Sequence, residues 1–410
     1  MWREKTGKHA LSNGHKEYPH LRFHAENGEN YPDLESYSMG ELYTERKEAG
    51  EEGLPILSVS IHTGVSDGEL DESETTKRVK RIDDKSLYRK ADTGDLVFNM
   101  MRAWQGALGV VKTAGMVSPA YIVAKPNEKV YPPYVDYYVK TDNMVNQIHR
   151  LSYGVTDFRL RLYWTSFQAV KCRLPVKQEQ KHIADFLKKL DERIEKQREL
   201  VENLKKYKRG LLHEILCEKI KITKSAWNVY KIGDYLRSKN IKQLPTPDAP
   251  LMAFTATGGV CDKGDRYDRG FLVKDASTKL YKRTDLNDFI YSSNNLDVGS
   301  IGLNLYGSAV ISDVYEIFSI SGADPWFISE AIRQKPVLHQ ILKYRQGCLY
   351  GQYRIYAEDF LEVSIRVPPL ETQKQIGTIF SRIEYRIKSE QTLLNCLENA
   401  KKYFLQQLFI

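Results

Sequence analysis

Arginine, asparagine, glutamine and aromatic residues interleave at two places in this 410-residue chain. In the first half Lys77, Arg78, Lys80 and Arg81 form a basic run. Asn99, Arg102, Trp104 and Gln105 then follow an apolar stretch, and Arg150, Tyr153, Arg159 and Arg161 surround Gly154. In the second half Arg266, Arg269, Lys282, Arg283, Asn294 and Asn295 precede Lys343, Tyr344, Arg345 and Gln346, with Gln352, Tyr353 and Arg354 close behind. Such side chains can read DNA: arginine grips guanine with two hydrogen bonds, asparagine or glutamine takes adenine, and lysine holds phosphate. One such residue says little, because most are solvated surface groups. The signal is collective, and it occurs twice at equivalent places.

Catalytic patterns fare worse. There is no Gly-x-x-x-x-Gly-Lys-Ser/Thr phosphate loop, no Gly-x-Gly-x-x-Gly after a strand and no His/Cys cluster with zinc spacing. His20 and His24 have metal-helix spacing, but Leu21 stands where a zinc protease carries its glutamate. Gly64-Val65-Ser66-Asp67-Gly68 matches a hydrolase elbow, yet an acidic, loop-like stretch follows where a helix is required. Tyr131-Pro132-Pro133-Tyr134 has the outline of an amino-methyltransferase motif, with tyrosine a poor acceptor at its first position; prolines opening a helix explain it. Pro32-Asp33 with Glu45-Arg46-Lys47 outlines a magnesium nuclease but lacks flanking apolar strands, and reads as a solvated charged loop. No catalytic residue and no metal ligand is expected. The net charge of +8 permits a polyanionic partner. Five dispersed cysteines suit reduced thiols in a cytoplasm, and neither a signal peptide nor a membrane span is expected.

Two long helices must position these groups. Leu174 to Cys217 lies over Val367 to Ile410 at an offset of 193 without a gap, each segment opening with proline and then free of it. Steps of four and three mark a coiled-coil seam through Leu190, Ile194, Val201, Leu204 and Leu211 in one copy. The other copy supplies Ile383, Ile387, Leu394, Leu397, Phe404 and Leu408. Gln197 and Lys208 interrupt the first seam, Glu390 and Lys401 the second. A parallel pairing would stack Lys208 on Lys401. An antiparallel one with residue numbers summing to 598 sets Lys208 against Glu390 and Gln197 against Lys401, and this is the expected register.

The duplication extends beyond the helices. Asp95-Leu96-Val97-Phe98 matches Asp288-Phe289-Ile290-Tyr291, and Gly154, Arg161, Tyr163 and Phe167 match Gly347, Arg354, Tyr356 and Phe360. Short β-type runs predict a curved, mostly antiparallel sheet in each copy, and prolines predict one helix over 134–151 and another over 326–345. The expected fold is α+β: two tandem mixed α/β domains, each followed by a long helix, the helices pairing as an antiparallel coiled coil. The expected boundaries are a poorly ordered N-terminal arm at 1–30, in which Leu21-Arg22-Phe23 could nevertheless dock, domains at 31–173 and 218–366, and long helices at 174–217 and 367–410.

With Gly94-Asp95-Leu96-Val97-Phe98-Asn99 through Gly106, Val117-Ser118-Pro119-Ala120-Tyr121, and Leu174-Pro175 with Glu179-Gln180 and Ile183-Ala184, the chain resembles the specificity subunit of Type I restriction-modification enzymes. The resemblance covers nearly everything after about residue 20 and includes the second helix from Pro368. It implies two target-recognition domains, each reading one half of a bipartite asymmetric DNA sequence, with the helix pair as spacer. It also implies two methyltransferase subunits bringing S-adenosylmethionine and two restriction/translocase subunits using ATP and Mg²⁺, the chain itself being non-catalytic and cofactor-free. The second copy departs from the pattern at Thr372-Gln373 and Ile376-Gly377. A stand-alone nuclease or methyltransferase would need one of the patterns above to work, and a coiled-coil scaffold unrelated to nucleic acid would show neither sequence preference nor a salt slope in DNA binding.

Overall fold

In a computed structural model of the chain, the described residues are 3–4, 19–61, 64–66, 85–154, 156, 159–255, 259–262, 279–294, 296, 300–349 and 352–409. The chain forms two compact units, Met1–Gln197 with Leu393–Ile410, and Arg198–Thr392.

In the first unit Tyr43–Arg46, Tyr121–Pro126, Leu96–Asn99 and Leu108–Val110 make a four-stranded antiparallel sheet in that order. Side chains alternate across a strand, so Leu96, Phe98, Leu108, Ile122 and Ala124 enter the larger core while Val97 and Val123 enter a smaller one on the opposite face. Both faces are therefore covered, which is why Leu96–Asn99 is apolar almost throughout. Each large side chain so buried contributes about 2 kcal/mol.

The second unit repeats this with Leu236–Ser238, Tyr315–Ile320, Phe289–Ser292 and Ile301–Leu303. Phe289, Tyr291 and Phe318 face one core, Ile290 and Ile317 the other. Glu35–Ser38 pairs with Lys171–Leu174 just before the first long helix, and Asn228–Lys231 pairs with Ser364–Val367 before the second. The tandem α+β architecture is as expected.

One turn shows how closely the copies correspond. Asp95 and Asp288 are buried, and each accepts the backbone N–H of the residue three positions earlier, Asp92 at 2.8 Å and Asp285 at 2.7 Å. The residue before each is left-handed: Gly94 at φ 95° and Asn287 at φ 66°. Glycine and asparagine are the residues that tolerate this conformation.

The long helices are Lys177–Leu216 and Leu370–Leu408. Their ends are antiparallel within each unit. In the first, Phe186 stacks edge-on against Phe404 with centroids 5.0 Å apart, and Lys401 Nζ lies 2.5 Å from Asp191. In the second, Lys208 Nζ lies 2.8 Å from Glu384 and 2.6 Å from Glu330. The ion pairs sum to 592, so the expected register of 598 is displaced: Lys208 meets Glu384 in place of Glu390, and Lys401 meets Asp191 in place of Gln197. Glu390 is instead paired with Arg386 of its own helix, 2.6 Å away. Ile194, Val201, Ile387, Leu394 and Leu408 are buried, and Leu190, Leu204, Leu211, Ile383, Leu397 and Phe404 half-buried.

Three further expectations are corrected. The helix expected over 134–151 is two, Pro132–Tyr138 and Asp142–Leu151, because the Thr141 hydroxyl turns back to the Tyr138 carbonyl at 2.8 Å and its extended backbone starts a new helix. The helix expected over 326–345 is likewise Pro325–Ile332 and Lys335–Leu342, since Pro336 fits a first turn and not an interior. Glu45-Arg46 is no solvated loop: Arg46 ends an edge strand, is buried and donates from Nε to Asp95 Oδ2 at 2.7 Å. Its partner is 49 residues away, beyond the reach of local pattern. Finally, the arm from Pro19 onward is docked as Leu21-Arg22-Phe23 allowed. Arg22 Nε donates to Glu179 at 3.0 Å, and Phe23 lies edge-on to Phe186 at 5.9 Å.

Candidate nucleic-acid interface

In the first unit three segments meet at the end of strand Leu96–Asn99. The strand runs into a turn in which the N–H groups of Arg102, Gln105 and Gly106 bond to the carbonyls of Asn99, Arg102 and Ala103. The indole of Trp104 lies 5.6 Å from the ring of His149, in the last turn of helix Asp142–Leu151. The Leu162 N–H bonds to the Met100 carbonyl at 2.9 Å, tying in the loop where Tyr153 and Arg161 bridge.

This geometry sorts the expected readers. Asn99 is half-buried; its Oδ1 accepts the Met101 N–H at 2.9 Å, and its side chain also bonds the Tyr121 hydroxyl. Burial pushes that hydroxyl above its usual range against the pull of Asn99 and Arg102. Trp104 donates Nε1–H to the Met101 carbonyl at 3.0 Å. Both residues build the turn. Arg102 and Gln105 are carried on it, exposed, together with Arg150, Tyr153, Arg159 and Arg161. Among the described residues no carboxylate pairs with these four arginines. Tyr153 rests on Tyr163 with ring centroids 4.9 Å apart. Lys77, Arg78, Lys80 and Arg81 lie outside the described residues.

The second unit presents a corresponding surface that keeps Arg354 and Tyr356 in place of Arg161 and Tyr163 and otherwise differs. Lys343 and Tyr344 are exposed after helix Lys335–Leu342, and the hairpin Gln346–Leu349 with Gln352–Arg354 follows. Arg354 lies over the Tyr356 ring at 4.9 Å and Arg345 over Tyr353 at 5.7 Å. Gln346 donates to Asp359 at 2.7 Å. Asn294 is half-buried and accepts from the Ser293 hydroxyl at 3.3 Å. Two residues expected at the interface are engaged by partners within the unit. Lys282 is buried, donating to the Tyr315 carbonyl at 2.8 Å and to Glu316 at 2.9 Å. Arg283 is held by Asp285 at 3.2 Å and Gln243 at 3.3 Å. Arg266, Arg269 and Asn295 lie outside the described residues.

Sequence reasoning missed an ion pair at the start of the equivalent strand in each unit. Lys239 Nζ lies 2.7 Å from both Asp285 and Asp288, where the first unit has Arg46 against Asp95. Lys239 follows Arg46 at the same offset of 193 that relates the helices, so the duplication itself carried the signal.

The departures of the second copy also have local causes. Glu179 is buried against Arg22 of the arm, whereas Thr372 is buried with its hydroxyl 2.9 Å from that of Thr223. Carboxylate with arginine is replaced by hydroxyl with hydroxyl, and each site remains satisfied. At Gly377 an added Cβ would lie 1.9 Å from Asp324 Oδ1, so glycine makes room for the carboxylate that caps helix Pro325–Ile332 through the Phe327 N–H at 2.9 Å.

Among the described residues no helix is long and apolar enough to cross a membrane, and no group of three or more His, Cys, Asp or Glu could hold a metal ion. Two α+β domains of like topology, each leading into a long helix and carrying exposed arginine and tyrosine, define a duplicated protein. The family model for the Type I restriction modification DNA specificity domain matches residues 81–205 and 214–399. The chain belongs to that family, whose specificity subunits recognise DNA and are not themselves catalytic. Its fold is similar to the Type-I restriction-modification system S subunit from M. genitalium, with TM-score 0.60 and 13% identity over 96% of this chain and 99% of that one. The HsdS subunit from Thermoanaerobacter tengcongensis is also similar, with TM-score 0.45 and 16% identity over 92% of this chain and 97% of that one.

Proposed function

We propose that each unit reads one half of a bipartite, asymmetric DNA target. Arg102, Gln105, Arg150, Tyr153, Arg159 and Arg161 make the contacts in the first unit, and Lys343, Tyr344, Arg345, Tyr353 and Arg354 in the second. The observation that carries this reading is that topologically equivalent surfaces are built twice, sharing Arg161 and Arg354 but otherwise carrying different side chains, which suits two different half-sites. The exposed arginines of the first unit have no carboxylate partner among the described residues and suit bases and phosphates. On this reading the long helices set the number of unread base pairs and dock two methyltransferase subunits, which bring S-adenosylmethionine. Two restriction/translocase subunits supply the ATP- and Mg²⁺-dependent work, in the cytoplasm.

Selection from randomised duplexes at two salt concentrations tests it. The expected result is two preferred half-sites separated by a fixed number of free positions, with affinity falling steeply as salt rises. Deleting one heptad from each helix should shorten that separation. A chain that enriches no sequence ends this reading.

A further inference from the structure

We propose that Gln180 and Gln373 are positioning residues for DNA recognition, each fixing the angle at which a reading domain leaves its long helix. The proposal rests on the reading of each unit as a DNA reader.

Each glutamine lies in the first turn of a long helix and is nearly inaccessible, at 1% and 2% exposure. Gln180 Oε1 accepts the Tyr131 N–H at 2.8 Å, while Nε2 donates to the Lys129 carbonyl at 3.0 Å and to the Pro175 carbonyl at 2.9 Å. Gln373 repeats the clamp: Oε1 accepts the Asp324 N–H at 3.1 Å, and Nε2 donates to the Pro368 carbonyl at 2.9 Å. One amide thus fastens the approach to the helix to a loop about fifty residues earlier in the domain.

That loop is the entrance to helix Pro132–Tyr138 in one unit and Pro325–Ile332 in the other. In the first unit the short helix grips the sheet through Asp136 Oδ1, which accepts the Val110 N–H at 3.0 Å. Val110 pairs with Leu96, whose strand runs into the turn carrying Arg102 and Gln105. The clamp is therefore the first link of a chain of contacts from long helix to short helix to sheet to reading tip. Bidentate base contacts tolerate displacements of only about 0.5 Å, so a loosened clamp blurs base discrimination before the domain unfolds.

The test uses the full-length chain with Gln180→Met and, separately, Gln373→Met, read by selection from randomised duplexes alongside thermal unfolding. Gln180→Met is expected to lower discrimination in one half-site by about tenfold and leave the other half-site unchanged, with Gln373→Met giving the converse. Variants that melt earlier yet keep both half-site preferences would show a fastening role alone and overturn the proposal. Amide exchange at Tyr131 and Asp324 in the unaltered chain gives a measurement independent of any variant. Protection that rises when DNA binds supports the clamp, and unchanged protection counts against it. If the unaltered chain selects no sequence, the DNA reading fails and not the clamp alone.

Discussion

Lys401 on the second long helix lies 2.5 Å from Asp191 on the first, and Lys208 on the first lies 2.8 Å from Glu384 on the second. Each lysine interrupts an apolar seam, and each is answered by a carboxylate at the position equivalent to the other's partner. Neighbouring short helices complete both sites. Tyr137 donates its hydroxyl to Asp191 at 2.8 Å, and Glu330 lies 2.6 Å from Lys208. The register follows from neutralising both cations in the seam, where the alternative leaves one lysine facing glutamine.

A charge exchange tests that register. Lys401→Asp alone is expected to lower stability by about 1 kcal/mol or less, since both partners are roughly one-third exposed. Adding Asp191→Lys should restore most of it in thermal unfolding. A coupling that appears with Gln197 and not with Asp191 would place the helices in the other register.

Gly377→Ala forces a methyl group into the Asp324 carboxylate. The expected cost is about 1–3 kcal/mol, the range for overfilling a packed site. Combining it with Asp324→Ser, a smaller capping residue, should recover much of the loss in denaturant unfolding. If the double variant is no better than Gly377→Ala, the crowding lies elsewhere.

The second unit is expected to be the more acid-sensitive through Asp285. Burial alone would raise its carboxyl, but hydrogen bonds from Lys239, Ser308 and Arg283 hold it well below the usual range. A folded value below the unfolded one gives stability that is present above about pH 4 and lost as pH falls through the folded value. Asp285→Asn should therefore flatten the acid limb of stability against pH. Asp95 slopes the other way: burial raises its carboxyl despite Arg46, so its contribution is lost as pH rises. Equal flattening by Asp95→Asn would contradict this.

Arginine and lysine at the expected interface should behave differently. Arg161→Ala, on an exposed side chain with no carboxylate partner among the described residues, should leave folding intact and reduce the salt slope of DNA binding by about one phosphate contact. Lys282→Ala leaves the part-buried Glu316 without its lysine and should cost about 3 kcal/mol of stability. Its salt slope should be unchanged at temperatures where it is folded. A Lys282 variant that folds normally but loses salt dependence would return this lysine to the interface.

By itself the sequence determined whatever is local or repeated. The duplication, the two long helices and the strands Leu96–Asn99 and Tyr315–Ile320 follow from proline placement, apolar spacing and a constant offset, all written within a few residues. Tertiary structure alone decided which charges face each other. Arg46 finds Asp95 and Gln180 finds Tyr131 across 49 residues, and Lys282 finds Glu316 across 34. An isolated lysine in a strand looks the same whether it ends in water or on a buried carboxylate. Only the packing that removes water from it distinguishes a group that holds the fold from one left free to meet DNA.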